Sequence, residues 1–124
     1  MSDGKVASIL IVDDSRVSRL LSRQFILSGH PDWQIDEAAS GEEALVKLDT
    51  ITPDLILLDI NMPGMGGFAA IEKLREKCPA VHISLLTANV QEATRAKAKA
   101  LGVGFAEKPI TETCINQILA VLEN

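Results

Sequence analysis

Leu55-Ile56-Leu57-Leu58 stands between two acids, Asp54 and Asp59, and a Pro/Gly-rich stretch, Ile60-Asn61-Met62-Pro63-Gly64-Met65-Gly66-Gly67, follows at once. Four apolar residues in a row, without alternation, fit a strand buried on both faces. That is the strand of a parallel sheet covered by helices. Open sheets of this kind place their ligands beyond the carboxyl ends of the strands. Asp59, which ends the run, is therefore expected at that crevice.

The rest of the chain repeats the same unit. Ala7-Ser8-Ile9-Leu10-Ile11-Val12 reads as a first buried strand, closed by Asp13-Asp14-Ser15. A helix is expected from Arg16 to Ser28, with Val17, Leu20, Leu21 and Phe25 on its inner face and Gly29 as its stop. Gln34-Ile35-Asp36-Glu37-Ala38 is polar enough for an edge strand. Ser40-Gly41-Glu42-Glu43 has the spacing of a capping box and opens a short helix with Ala44, Leu45 and Leu48 inward. Phe68, Ile71 and Leu74 mark a third helix, ended by Pro79.

Val81 to Leu86 is the fourth strand, leading into Thr87-Ala88-Asn89. The helix expected from Gln91 to Leu101 has only Ala93, Ala96, Ala100 and Leu101 to bury, and Gly102 ends it. Val103 to Glu107 is the fifth strand, leading into Lys108-Pro109. A last helix starts at Thr111, with Ile110 and Ile115 spaced as a hydrophobic staple and Ile118, Leu119 and Leu122 inward. Roughly five βα units in tandem imply an α/β domain with a parallel sheet, helices on both faces and right-handed crossovers. One domain is expected to occupy residues 1–124.

A net charge of −5 argues against a nucleic-acid surface, which needs a basic stripe. No apolar stretch is long enough to span a bilayer, and the first residues, Met1 to Lys5, have no signal-peptide core, so a cytoplasmic protein is expected. Cys78 and Cys114 are far apart and lack metal-ligand spacing, as buried or idle thiols do.

In a parallel sheet the strand ends gather on one edge. Read off in order they supply Asp13-Asp14, Asp59, Thr87 and Lys108. Each has an ordinary explanation by itself: Asp13 or Asp14 can cap the first helix, Asp59 can serve a turn, Thr87 can cap a helix, and Lys108 can be a solvated charge. Together, three acids repel and raise one another's pKa unless a cation sits among them. Mg²⁺ suits one or two carboxylates, a carbonyl and several waters, and commonly partners a phosphoryl group. A carboxylate nucleophile, a metal, a hydroxyl and an ammonium are the parts of a site that forms an aspartyl phosphate.

Asp13-Asp14, Asp59-x-x-Met62-Pro63-x-Met65-x-Gly67, Thr87-Ala88 and Lys108-Pro109, in that order, resemble the receiver domain of two-component response regulators of the chemotaxis type. The resemblance covers nearly the whole chain. It implies a flavodoxin-like doubly wound sheet of five strands in the order 2-1-3-4-5. It implies that Asp59 accepts a phosphoryl group from the phosphohistidine of a histidine kinase or histidine phosphotransfer protein. Mg²⁺ would be held by Asp14, Asp59 and the Asn61 carbonyl, with Asp13 acting largely through water. Lys108 would pair with the acids and then with the phosphoryl group, across a cis bond to Pro109. Thr87 would move toward the phosphoryl oxygen and Phe105 would turn inward behind it. Ala88 follows Thr87, and Asn89, two residues after it, is placed to tune hydrolysis.

The same resemblance implies a phospho-acceptor whose only catalysis is its own phosphorylation and dephosphorylation. Its output would be binding of a downstream protein. A stand-alone receiver is expected, with no residues for an effector after Leu122; a receiver cut from a hybrid kinase or larger regulator is the alternative. Thr113 to Ile118 carries no Lys or Arg, unlike the dimerising DNA-binding subfamily. The outer side of the fourth and fifth helices, with Arg95, Lys97 and Lys99, is the expected partner surface; an ordinary solvated face is the simpler reading. A Mg²⁺-dependent phosphohydrolase of the haloacid dehalogenase type would need an acid where Asn61 stands. A flavodoxin would need a phosphate loop where Asp13 and Asp14 stand.

Overall fold

The computed structural model describes residues 6–60, 67–88 and 91–122. Asn61 and the Met62-Pro63 and Gly64 to Gly66 stretch lie outside them, as does Asn89, so the expectations placed on those residues concern positions beyond the described ones.

The strands are β1 (Ser8–Val12), β2 (Gln34–Ala38), β3 (Leu55–Leu58), β4 (His82–Thr87) and β5 (Gly104–Glu107). Between and after them run α1 (Arg16–Gly29), α2 (Gly41–Lys47), α3 (Gly67–Lys77), α4 (Glu92–Leu101) and α5 (Glu112–Leu119), the last followed by a 3₁₀ turn at Ala120–Leu122. All pairings are parallel and the order is β2-β1-β3-β4-β5, the expected doubly wound sheet. Polar β2 is indeed an edge.

The unbroken run of β3 has the predicted physical cause. Ile56 and Leu58 join the core under α2, α3 and α4, with Leu10, Ile71, Leu74 and Leu85. Leu55 and Leu57 join the core under α1 and α5, with Ile9, Ile26, Ile115 and Leu119. Each such side chain, fully withdrawn from water, contributes about 1.5–3 kcal/mol. The two cores therefore fix the sheet, and the sheet fixes the strand ends. Val12 is opposite Leu58, and Leu58 is opposite Leu85. One step further, the Asp59 N–H donates to the Val12 carbonyl (2.9 Å) and the Asp13 N–H to that of Ala38 (3.0 Å). The register thus continues into the acidic residues and sets them side by side.

Local chemistry explains the helix ends. The Ser40 hydroxyl accepts from the Glu43 N–H (3.1 Å), while the Glu43 carboxylate accepts from Ala39, one residue earlier than the simplest capping box. Thr111 caps α5 through the Cys114 N–H, and Ile110 and Ile115 lie in one cluster as a staple requires. Gly102 ends α4 in the left-handed region, φ 71°, where a side chain would be strained. Gly29, by contrast, is the last helical residue of α1, and His30 takes the cap position.

Two helices present other faces than apolar spacing suggests. In α1, Val17, Leu20 and Leu21 are exposed (67%, 51% and 36%), and the buried residues are Ser22 and Ile26. The helix phase is set at its start by polar contacts: Ser15 is the cap, Ser18 faces Lys108, and Arg19 reaches the Asp13 carbonyl. In α4, Ala98 is buried and Leu101 partly so, whereas Ala93, Ala96 and Ala100 are exposed. Its remaining anchors are polar or aromatic. Arg95 lies over the Phe105 ring (5.3 Å), Lys97 over Phe68 (4.6 Å), and Arg75 donates to the Gly102 carbonyl (3.4 Å). Exposed cation–π contacts are worth about 0.5–1 kcal/mol, less than one buried leucine. By this measure α4 is the more weakly anchored helix.

Candidate functional site

The end of β1 is tied through both its backbone and its side chain. Asp13 is 3% exposed and all its polar groups are engaged. Its Oδ1 accepts from the Ser15 N–H (2.8 Å), its Oδ2 from Lys108 Nζ (3.0 Å), and its carbonyl from Arg19 Nη1 (2.6 Å). Asp13 is not the helix cap; it fixes the residue that is, since Ser15 accepts from the Ser18 N–H (3.2 Å). Asp14, next in the chain, turns its side chain to solvent.

Asp59 is 6% exposed at the end of β3, with Lys108 Nζ 3.5 Å from its Oδ2. Lys108 is carried in by β5, whose register with β4 ends at Thr87 opposite Glu107, and the Lys108 N–H donates to the Thr87 carbonyl (2.8 Å). The Lys108–Pro109 bond is cis. Thr87 is fully buried, and Ala88 beyond it is exposed. Phe105, half-buried two residues before Glu107, packs against the core on the α4 side.

The electrostatics follow from burial and proximity. Burial pushes the Asp13 carboxyl above the ordinary range, helped by the charge of Asp59; the Ser15 N–H and Lys108 pull the other way without cancelling it. Burial alone would lower Lys108, but its hydrogen bond to Asp13 and the charges of both aspartates outweigh that and raise it. The ammonium therefore stays charged at neutral pH, and the cluster still carries more negative than positive charge.

Carboxylate oxygens of Asp13, Asp14 and Asp59 all lie within 4.8 Å of one another. Ligands around one octahedral Mg²⁺ are about 3–4 Å apart, from its oxygen distance of about 2.1 Å, so small rotations suffice to share an ion. Two acids are buried and one faces water. That suits an ion which keeps several waters. The donor set fits Mg²⁺.

The structure thus brings together Asp13, Asp14, Asp59 and Lys108, with Thr87 at the adjoining strand end. Neither histidine is there: His82 opens β4 and His30 stacks on Trp33 (3.7 Å) after α1. Residues that apolar and motif reading overlook also contribute. Ser18 Oγ lies 3.4 Å from Lys108 Nζ, and Arg19 is held by Glu37 of β2 (2.9 Å), whose other oxygen takes Arg23 (3.1 Å). Their signal was the polar stripe Ser15-Ser18-Ser22 and the basic pair Arg19 and Arg23, each at helical spacing, with the acid Glu37 on the next strand.

Comparison with known proteins gives a consistent result. Residues 9–120 match the response regulator receiver domain family. The chain is 42% identical over 106 residues to a segment of the sensor protein EvgS of Escherichia coli, covering 84% of this chain and 9% of that protein. It is 42% identical over 77 residues to the nitrate/nitrite response regulator protein NarL of Escherichia coli, covering 62% of this chain and 36% of NarL. It therefore spans about a tenth and about a third of these relatives' lengths. Among solved structures, the chemotaxis protein CheY4 of Vibrio cholerae superposes with a TM-score of 0.84 at 28% identity, covering 94% of this chain and 98% of that one. A two-component response regulator from Cytophaga hutchinsonii gives 0.83 at 28%, covering 97% and 99%.

Proposed function

The chain belongs to the response regulator receiver domain family of two-component systems, and from that premise we propose that Asp59 is its phosphoryl acceptor in a Mg²⁺-dependent transfer. The observation that carries this reading is the convergence of Asp13, Asp14, Asp59 and Lys108 at one edge of the sheet. Asp59 is the one carboxylate that ends the central strand, with Lys108 beside it.

The division of labour is the one the family resemblance implies, and the bonds of Asp13 support its part in it. Asp14 and Asp59 would hold the ion, joined by the Asn61 carbonyl, while Asp13, engaged by Lys108 and Ser15, would act through water. Bound there, Mg²⁺ supplies positive charge for the phosphoryl oxygens. An Asp59 oxygen attacks the phosphorus of the donor phosphohistidine. The P–O bond forms as the P–N bond breaks, and the imidazole leaves with the electron pair. Lys108 needs only a small shift to exchange part of its pairing for a phosphoryl oxygen. The new group adds about −1.5 to −2 charges at one buried point. Thr87 then approaches it, Phe105 turns inward, and α4, the weakly anchored helix, shifts between two nearby positions. Ala88 and Asn89, which follow Thr87 in the chain, would tune hydrolysis of the acyl phosphate.

A histidine kinase or phosphotransfer protein is the donor in this reading. The exposed apolar side of α1, Val17, Leu20 and Leu21, lies within two turns of Asp14, where such a donor must approach. Output passes through the α4 and α5 side to another protein, and the net charge of −5 does not suit nucleic acid. No helix among the described residues is long and apolar enough to cross a membrane. Cys78 and Cys114 are free, which fits a reducing compartment such as the cytoplasm. A receiver working within a larger sensor protein is the second reading, favoured by the identity to a segment of EvgS.

Incubation with a small acyl-phosphate donor tests the site. A single phosphoryl adduct that requires Mg²⁺ is expected by intact mass. Sustained turnover of phosphate esters without an adduct would favour the phosphohydrolase instead. The output face has its own test. Lys99→Glu on α4 is expected to weaken a phosphorylation-dependent partner severalfold and to leave the adduct yield unchanged. Equal partner binding by wild type and variant would remove that side of α4 from the interface.

A further inference from the structure

We propose that Arg19, oriented by Glu37, is a positioning residue that sets the Mg²⁺ affinity of the acidic turn; this rests on the metal-dependent reading of the site. Arg19 touches two acceptors at once. Its Nε donates to Glu37 Oε1 (2.9 Å) and its Nη1 to the backbone carbonyl of Asp13 (2.6 Å). One guanidinium therefore bridges α1, edge strand β2 and the carbonyl of the peptide that joins Asp13 to Asp14.

An ordinary helix-to-strand ion pair would end on the carboxylate, and exposed pairs of that sort contribute little. This pair differs in two ways. The Arg19 side chain is only 16% exposed and that of Glu37 29%, and Arg23 holds the second Glu37 oxygen (3.1 Å), so the acceptor is fixed before Arg19 reaches it. The other end of the fork meets a carbonyl, where a charged donor makes a stronger bond than a neutral one.

The position of that carbonyl gives the arrangement its consequence. Asp13 is already held through its N–H by Ala38, through Oδ1 by Ser15 and through Oδ2 by Lys108. Rotation of the Asp13–Asp14 peptide is the freedom those three bonds leave. That rotation decides where the exposed Asp14 carboxylate points. Arg19 stops it by gripping the carbonyl. Lys at this position keeps the charge but has no fork able to serve both acceptors. Groups that orient metal ligands typically matter by about 10–100-fold in metal affinity.

Mg²⁺ binding is to be measured by calorimetric titration on the full chain, with thermal unfolding of the metal-free proteins alongside. Arg19→Met is expected to weaken binding about tenfold at a temperature where it is folded. Arg19→Lys should recover only part of the affinity, and Glu37→Gln should lose a few-fold. The double variant Arg19→Met/Glu37→Gln should bind no worse than Arg19→Met, since both act along one path. Phosphorylation of Arg19→Met by an acyl phosphate should approach the wild-type rate once Mg²⁺ is raised to saturation. If Arg19→Met and Glu37→Gln only lower the melting temperature and leave the Mg²⁺ affinity within twofold of wild type, the arginine is structural and the proposal is wrong. Should Arg19→Met fail to fold, Arg19→Lys and Glu37→Gln carry the same comparison. Wild-type protein that binds no Mg²⁺ would overturn both this inference and the metal-dependent reading; unchanged affinity in the variants overturns this one alone.

Discussion

Asp59→Asn protein is expected to take up no phosphoryl group from an acyl-phosphate donor at any Mg²⁺ concentration. The loss should be complete, because an amide at the end of β3 has no anionic oxygen to attack phosphorus. Asp13 and Asp14 are not expected to substitute for it. Asp13 is committed to Ser15 and Lys108, and Asp14 faces solvent at the rim. Asp14→Asn is expected to behave differently: the adduct still forms on Asp59, but at least about tenfold more Mg²⁺ is needed. Metal-free Asp59→Asn should be at least as stable as wild type, since one of three crowded negative charges is gone. Urea unfolding and intact mass on the same preparations measure both effects. A phosphoryl adduct of normal yield on Asp59→Asn would remove Asp59 from the chemistry.

Lys108→Ala should produce the largest change in stability at the site. Lys108 is the cation that pairs with both Asp13 and Asp59, at 3.0 and 3.5 Å, with both aspartate side chains less than a tenth exposed. Removing one partner from such a pair leaves buried charge without compensation, at a cost of about 2–3 kcal/mol for a group that keeps some exposure. The pH dependence has a definite sign. The Lys108 pKa is raised in the folded protein, so its contribution is fully present below the ordinary lysine pKa and is lost only above it, as pH climbs through the raised value. The Asp13 pKa is also raised, chiefly by burial, so the folded state binds that proton more tightly than the unfolded chain does. For this group stability is fully present below the ordinary aspartate pKa and falls as pH rises through its raised folded pKa. The destabilisation by Lys108→Ala is therefore expected to be larger at pH 7 than in acid, where Asp13, with its raised pKa, takes up its proton ahead of an ordinary aspartate. Millimolar Mg²⁺ should recover much of the loss at pH 7 by supplying a cation to the same oxygens. Equal stability of wild type and variant in metal-free buffer at pH 7 would show that the ammonium does not hold the acids together.

The same physics separates what the chain announces in advance from what it conceals. The strands were legible because burial on both faces leaves an unmistakable pattern: Leu55 to Leu58 must lie in the middle of a covered parallel sheet, and they do. The convergence at one edge followed, since parallel strands deliver their ends there, and Asp13, Asp59, Thr87 and Lys108 end or directly follow their strands. Helix faces were harder. Apolar spacing turned Val17, Leu20 and Leu21 of α1 inward, yet the helix is phased by Ser15, Ser18 and Arg19 reaching into the acidic site. Spacing does not reveal that polar contacts outweigh apolar burial there. In α4 a run of alanines gives the pattern little contrast, and Arg95 and Lys97 over aromatic rings contribute as much as the alanines do. Arg19 and Glu37 were concealed for a further reason. Their pairing needs the distance between a helix and the edge strand, which only the folded chain supplies.

The most direct test locates the phosphoryl group itself. The protein is treated with an acyl-phosphate donor with and without Mg²⁺, then with borohydride, which reduces an aspartyl phosphate to homoserine, and the peptides are weighed. One homoserine at position 59, formed only when Mg²⁺ was present, is the expected result. Homoserine at position 13 or 14 instead, or an equal yield at position 59 without the metal, would contradict it.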